Sequence, residues 1–490
     1  MQKVKKVLIS TGCILTLMAG TAAASGAITT KTLEAHYPGI KLVVSGQEIE
    51  AKNGAGTEVE PFIVDGTVYL PARVVGEALG KSVEWDGQTN TVYIGKAPMV
   101  EDAQQLIEIL EETHPAFALN AVPADYQAAK EAFLAQANDP ACTLYDFTWA
   151  AMAYTASLGD EHTRIDPFGS VPQARLDVNW IADGEHLYLT DKDGLVTKTE
   201  VKAVGGVSVQ QLFAVIDRYV ASENQAGRDV NHASWAALRN LLYKAGAAIG
   251  DDDTLVMDIW ENGRTTSRTV SFVIPEEKPA EPVISTKMIG DVMVVDFNQC
   301  IDGDAMQQAV AELKKAVQNG TDKVIIDVRG NGGGDSSTCV QLLNAMGMEA
   351  PEYGAYVRYS PLAKGTYPQM YDQDSGGQRY EPQPQLAKAN DKVQLVVLTD
   401  EGTFSSASML AVYVRDGKLG TLIGRPSSNM PNHYGDILMT SLNNSGTYCT
   451  FSHKQWLRPD QSAKGNTLTP DIVTAVGEDA LQRALDYLNK

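Results

Sequence analysis

The spacing of apolar positions changes along the chain, and each change predicts a different kind of element. Between residues 28 and 96 the apolar runs are short and interrupted by polar positions, as in half-buried strands. Lys41 to Val44 and Pro61 to Leu70 read as strands, with Asp65-Gly66 as a tight turn between Phe62-Ile63-Val64 and Thr67-Val68-Tyr69. Ala72 to Leu79 reads as a short helix stopped by Gly80, and Ser82 to Trp85 and Thr91 to Ile94 as two strands around Asp86-Gly87. After a linker at 96–99, Val100 to Leu158 carries apolar residues such as Leu106, Ile109 and Leu110 at helical spacing, with Pro115 ending the first helix. The pattern from Asp166 to Pro279 is mixed, and Val201 to Phe213 predicts a strand, a turn and a helix.

From Met288 to Gly424 strands and helices alternate. Strands are expected at Val292–Asn298, Lys323–Val328, Val393–Thr399 and Thr421–Gly424, and helices at Ala305–Gln318, Ser336–Met346 and Ser406–Val414. Strands apolar on both faces and separated by helices predict an α/β core with a mainly parallel sheet. The expected organisation is a signal at 1–27, a β-rich accessory domain at 28–96, a helical part at 100–165, a mixed insert at 166–280 and the α/β core at 285–490.

Composition narrows the setting. A chain of 490 residues exceeds one ordinary domain, and 44% hydrophobic with 21% charged residues is a folded, globular balance. The net charge of −21 repels nucleic acid phosphates and anionic lipid, so neither is an expected partner. Lys3, Lys5 and Lys6, the apolar run Val7 to Ala19, and Ala22 and Ala24 together read as an export signal with its cleavage site. Cys13 lies inside that apolar run, where a lipid-modified cysteine is not expected. Cys142, Cys300, Cys339 and Cys449 show no metal-ligand spacing, and both a disulfide and isolated thiols are open. "GEALGKS" (Gly76 to Ser82) has three residues where a phosphate loop needs four, which argues against nucleotide binding there.

Two segments carry candidate chemistry. "VIIDVRGNGGGDSS" (Val324 to Ser337) ends a buried strand in a glycine run that opens a helix, a geometry able to turn N–H groups on an anion. "VVLTDEGTFSSASMLAVYVRDG" (Val396 to Gly417) leads from a buried strand through a polar loop to a helix whose start carries Ser405 and Ser406. A serine there presents its hydroxyl beside backbone donors, although a plain helix cap is the commoner use of serine at a helix start.

With "SLGDEHTRI" (Ser157 to Ile165), these segments form an ordered signature that resembles the tail-specific (C-terminal processing) and tricorn-like serine peptidase family. "LEETHPAF" before them and "TPDIV" after them fit the same run, so the resemblance covers roughly Asp102 to Val476. It implies a crotonase-like core and peptide-bond hydrolysis through an acyl-enzyme, with peptides or proteins as substrates and no metal or organic cofactor. Carried over by position, it implies Ser405 as nucleophile, His162 as base, and the N–H groups of Gly332, Gly333 and Ser406 as oxyanion donors. His433 is a rival base. The lysine of the family's Ser-Lys branch would fall near Met430, and the late glutamate of its tricorn-like branch near Lys464. Asp460 is the nearest acidic residue and is taken as the third member, with Asp160, Glu161 and Asp436 as alternatives. Val201 to Phe213 resembles the family's PDZ-type insert. Residues Val64 to Gly95 resemble the copper amine oxidase N-terminal-like domain of exported Gram-positive proteins, which implies a cell-wall or substrate-facing module at the cell surface. Two other readings stay open: a catalytically inactive peptide- or wall-binding protein on a peptidase scaffold, and a serine esterase.

Overall fold

The computed structural model describes residues 32–490 apart from 45, 53–56, 80, 82, 87–90, 95–98, 140, 169–170, 193 and 277–279. The expected export signal, the Gly80 stop and Gly87 of the second turn lie outside the described residues. The chain divides into two compact units, Met1–Asp102 and Ala103–Lys490.

In the first unit the short apolar runs form antiparallel pairs: Leu42–Val44 with Gln47–Ile49, Phe62–Val64 with Thr67–Tyr69, and Val83–Asp86 with Thr91–Ile94. Asp65 and Gly66 both have positive φ, as a two-residue hairpin turn requires. The helix expected after it spans Ala72–Ala78.

The second unit begins with helices, among them Tyr126–Asn138 and Leu144–Ala156, the latter opened by a capping box of Thr143 and Asp146. The mixed segment then forms an antiparallel sheet in the order Arg175–Leu176, Arg264–Val273, Thr254–Glu261, Val196–Val204, His186–Thr190, Trp180–Asp183. The strand, turn and helix expected at Val201 to Phe213 are Val196–Val204, Gly205-Gly206 and Val209–Tyr219. A second helix, Gln225–Ala236, follows a short connection that holds Glu223 and Asn224.

The core sheet has six strands, in the order Ile284–Ile289, Val292–Phe297, Lys323–Asp327, Gln394–Thr399, Thr421–Gly424, Ile472–Val473. The first pair is antiparallel and the other pairings are parallel. Val324, Ile325, Ile326, Val396, Val397 and Leu398 are all buried, which follows from helices covering both faces. Ser406–Asp416 is buried from Ser406 to Val414, so the helix that starts at the candidate serine runs through the core rather than along its surface. This mixed α/β architecture is consistent with the crotonase-like core that the motifs imply.

A five-stranded antiparallel sheet was not foreseen. Tyr448–Leu457 pairs with His433–Ser441, Gly354–Arg358 and Arg164–Asp166, and Gly377–Tyr380 closes one edge. Its pairing with Arg164–Asp166 brings the segment around His162 to the core. Cys142, Cys300, Cys339 and Cys449 are all buried, and the Sγ atoms of Cys300 and Cys339 lie 3.9 Å apart, too far for a disulfide bond.

Candidate active site

The segment that carries Ser405 is held by a set of backbone and side-chain bonds. After the strand Gln394–Thr399, Asp400 Oδ1 accepts hydrogen bonds from the N–H groups of Gly330 (2.8 Å) and Gly402 (2.9 Å). Thr403 Oγ1 donates to Val328 O at 2.9 Å, and Phe404 N–H donates to Asn331 O at 2.9 Å. The serine loop and the glycine loop are thus laced together at the ends of neighbouring parallel strands. Ser405 caps the helix with φ +52° and ψ −126°, a conformation that a non-glycine residue rarely adopts. Its N–H donates to Asn429 Oδ1 at 2.9 Å, so the turn is held from both sides.

His162 reaches that serine across 243 residues of sequence: Nε2 lies 3.0 Å from Ser405 Oγ. The ring is flanked by Phe404, stacked at 4.5 Å, and by His433 at 5.9 Å. On its far side Nδ1 faces two carboxylates, Glu223 Oε1 at 3.7 Å and Asp160 Oδ1 at 3.8 Å. Neither His162 Nδ1 nor Glu223 Oε1 has a hydrogen-bond partner, and both are buried. Two unpaired polar atoms facing each other in a buried site would gain from a short closing movement that makes the bond.

The two carboxylates are held differently. Asp160 accepts from the His162 N–H (3.0 Å), Thr163 Oγ1 (2.5 Å) and Ser452 Oγ (2.6 Å). His114 supplies a further donor. The Ala116 N–H donates to His114 Nδ1 at 3.2 Å, which leaves Nε2 as the ring's donor toward Asp160 Oδ2 at 3.1 Å. Burial works against the Asp160 anion, but the bond and charge of His114, then the charge of His162, outweigh it and hold its pKa well below the usual carboxylate range. Glu223 uses only Oε2, which accepts from Asn429 Nδ2 (2.6 Å) and the Met430 N–H (2.9 Å). Burial raises its pKa, opposed by His162. Asn429 therefore links Glu223 to the backbone of Ser405.

The ring balances the same forces. Burial alone would discharge His162, yet Glu223, Asp160 and Glu161 raise its pKa above the ordinary 6.5. His433 goes the other way: burial and the neighbouring His162 push it down to about 3. With its Nδ1 unpartnered and no hydrogen bond to Ser405 among the described residues, His433 is displaced as the rival base. Glu161, pushed up to about 7 by burial and by Glu223, accepts from Asn231 Nδ2 at 3.0 Å.

Two expectations change here. Asp460 is not brought to the ring. Its carboxylate accepts from the Ser462 N–H (2.9 Å) and Oγ (2.6 Å), and the carboxylates within 4.0 Å of a His162 nitrogen are Asp160 and Glu223. Nearness in sequence to an aligned position did not bring Asp460 to the ring, because the carboxylates that face it come from other segments. Asp436 is also elsewhere, paired with Lys454 at 2.5 Å. The second change concerns Gly333, whose N–H donates to Asn331 Oδ1 at 2.8 Å and is not free for an anion. What Gly333 supplies is closeness: at φ +96°, a Cβ there would lie 2.6 Å from Ser405 Cβ and 2.9 Å from Ser406 N. The Ser406 side chain donates to Gly334 O at 2.6 Å, while its N–H belongs to the unpaired first turn of the helix. No bond of the described residues engages the N–H of Gly332.

Sequence reasoning missed Glu223, which lies in the connection between two helices of the insert. The readable signal there is Asn224, whose side chain caps the helix Gln225–Ala236; nothing marks the residue before it. Asn429 was missed as well. His114 stood inside a quoted motif but without a role.

Residues 288–474 match the model of peptidase family S41, and residues 19–97 match the model of the copper amine oxidase N-terminal domain. Both resemblances drawn from the motifs are borne out, the first over a shorter span than the motifs cover. No curated protein matches the chain. Among solved structures, mature CPAF complexed with lactacystin aligns at 13% identity over 80% of this chain and 97% of that one, with a TM-score of 0.56. Mature CPAF aligns at 14% identity over 80% and 96%, also with a TM-score of 0.56. The photosystem II D1 C-terminal processing protease aligns at 13% identity over 79% and 98%, with a TM-score of 0.44. The CPAF likenesses show a shared fold, and the family model supports a serine peptidase.

Proposed function

We propose that this chain is a serine-type endopeptidase that cleaves peptides or proteins through an acyl-enzyme. The observation that carries the reading is the 3.0 Å approach of His162 Nε2 to Ser405 Oγ, with Glu223 behind the ring. A base must come within roughly 2.6–3.2 Å of the proton it takes. With the ring's proton on Nδ1, facing Glu223 and Asp160, Nε2 takes the Ser405 proton as Oγ attacks the substrate carbonyl. The imidazolium that forms is stabilised by the two carboxylates, and then protonates the leaving amine. Water repeats the sequence on the ester. The oxyanion falls to the N–H groups of Ser406 and Gly332, with Gly333 keeping the space beside Ser405 clear.

Glu223 in this reading is the third member. It removes the motive for an inactive scaffold, which was the missing lysine and the missing late glutamate. The export signal, a Gram-positive cell-surface location, wall attachment through residues 28–96 and a PDZ-type role for the insert all belong to this proposal. Support for them comes from the sequence, joined for the first domain by its family match.

The test is covalent labelling. A fluorophosphonate probe should modify wild type once per chain and fail on Ser405→Ala. Cleavage of internal bonds in a peptide library, set against acyl ester hydrolysis, then separates peptidase from esterase. A folded wild type that neither labels nor cleaves would overturn the assignment.

A further inference from the structure

The side of His162 that faces away from Ser405 has the make-up of a cation site. His162 Nδ1, Glu223 Oε1 and Asp160 Oδ1 are separated by 3.7 Å and 3.8 Å, and one donor atom from each residue lies within 4.8 Å of the others. Ligand atoms arranged tetrahedrally around a zinc ion at roughly 2.0–2.2 Å lie about 3.3–3.6 Å from one another, so both spacings are near that range. The spacing is too long for a hydrogen bond and only slightly wide for a shared ion. Two of the three donor atoms are buried without a partner, and the Glu223 side chain is 1% exposed. Each carboxylate is also fastened from behind: Asn429 and the Met430 N–H hold Glu223 Oε2, while His114 and Ser452 hold Asp160 Oδ2. Outer bonds of this kind orient metal ligands.

We infer that His162, Glu223 and Asp160 form an inhibitory site for a divalent transition ion such as Zn2+, which switches off the serine by fixing the wrong tautomer of the base. One imidazole and two carboxylates leave a fourth position for water. When the ion binds Nδ1, that nitrogen gives up its proton and Nε2 takes one up, so the ring stays neutral. Nε2–H then donates to Ser405 Oγ and cannot accept from it. The hydroxyl keeps its proton, and attack stops. The ion is an inhibitor here, with no part in the reaction, and the inhibitory consequence rests on the proposed roles of Ser405 and His162. The binding itself does not.

Ser405→Ala in the full chain separates the two. Calorimetry with Zn2+, checked by the visible absorption of Co2+ as a spectroscopic substitute, should give one tight site per chain. Glu223→Gln in that background should weaken it at least about tenfold, since even outer-shell changes cost roughly 10–100-fold. Asp460→Asn should leave it unchanged. Near-UV circular dichroism reports whether each variant is folded, and Glu223→Asp provides a second, anionic variant that should retain Co2+ absorption. In wild type, peptide hydrolysis should fall with Zn2+ at the same half-saturation and return with EDTA. Binding by Ser405→Ala without wild-type hydrolysis would keep the ion site and reject the peptidase reading. Hydrolysis indifferent to Zn2+, with no Glu223-dependent binding, would reject the ion site and keep the peptidase.

Discussion

Gly333→Ala is the sharpest probe of the arrangement, because its effect follows from three close approaches. A Cβ at residue 333 would lie 2.6 Å from Ser405 Cβ, 2.9 Å from Ser406 N and 3.0 Å from Phe404 O. Carbon atoms rest at about 3.5–4.0 Å, so the nucleophile or the glycine loop must retreat by roughly 1 Å. Neither can do so freely, since the loops share the Phe404–Asn331 and Asp400–Gly330 bonds. The φ of +96° adds a backbone cost of about 1–3 kcal/mol. A misplacement of about 1 Å at the reacting atom costs on the order of 10² in rate. Turnover on a short fluorogenic peptide should therefore drop about a hundredfold, with a measurable loss of Tm. Gly332→Ala is the control: no atom lies within 4 Å of its Cβ and its φ is not positive, so the Tm should hold. A folded Gly333→Ala enzyme with wild-type turnover would refute the packing argument and make the glycine loop an ordinary turn.

Further outcomes follow from the same geometry. Activity requires neutral His162, whose pKa is raised above 6.5, so kcat/KM should fall with acid through a midpoint above 6.5. Glu223→Gln removes the nearer anion; pH–rate profiles should show that midpoint moving down and turnover lowered at least about 10²-fold. Because Ser405 sits at φ +52°, Ser405→Gly should resist urea better than Ser405→Ala by about 1 kcal/mol, and equal stability would argue against backbone strain. Removing residues 28–95 should leave hydrolysis of a short peptide nearly unchanged while weakening retention on isolated cell wall; loss of the first with the second unit folded would reject the division of labour.

The α/β core was legible because its strands are buried on both faces and its helices are long enough to show their period. Val324 to Ile326 and Val396 to Leu398 have no polar interruption to confuse the reading. The antiparallel sheet was not legible for the opposite reason. Tyr448–Leu457 buries Ser452 and His453 among its apolar residues, because Ser452 serves Asp160 and His453 bonds Tyr371. His433–Ser441 carries Asp436 at φ +55° and a buried histidine. A strand that feeds polar groups into a site loses the alternation by which strands are recognised. Gly377–Tyr380 is exposed throughout and offers no hydrophobic pattern.

The proposed third member, Glu223, was illegible for a deeper reason. A carboxylate behind a catalytic ring is defined by a point in space, and any segment that reaches that point can deliver it. The late loop, with Lys464 where a glutamate was sought, adjoins the connection that holds Glu223: Asn224 Nδ2 donates to Asn466 O at 3.3 Å, and Asn466 Nδ2 to Glu223 O at 3.5 Å. Lys464 itself turns to Gln461 O at 3.3 Å. The Met430 position, where a lysine was sought, supplies a backbone N–H to Glu223 instead. One aligned position that lacks the expected side chain thus bonds Glu223 directly, and the loop that holds the other contacts the Glu223 segment through Asn466. Loss of a residue at an aligned position is therefore poor evidence for loss of its function when a neighbouring loop can carry the same group to the same point.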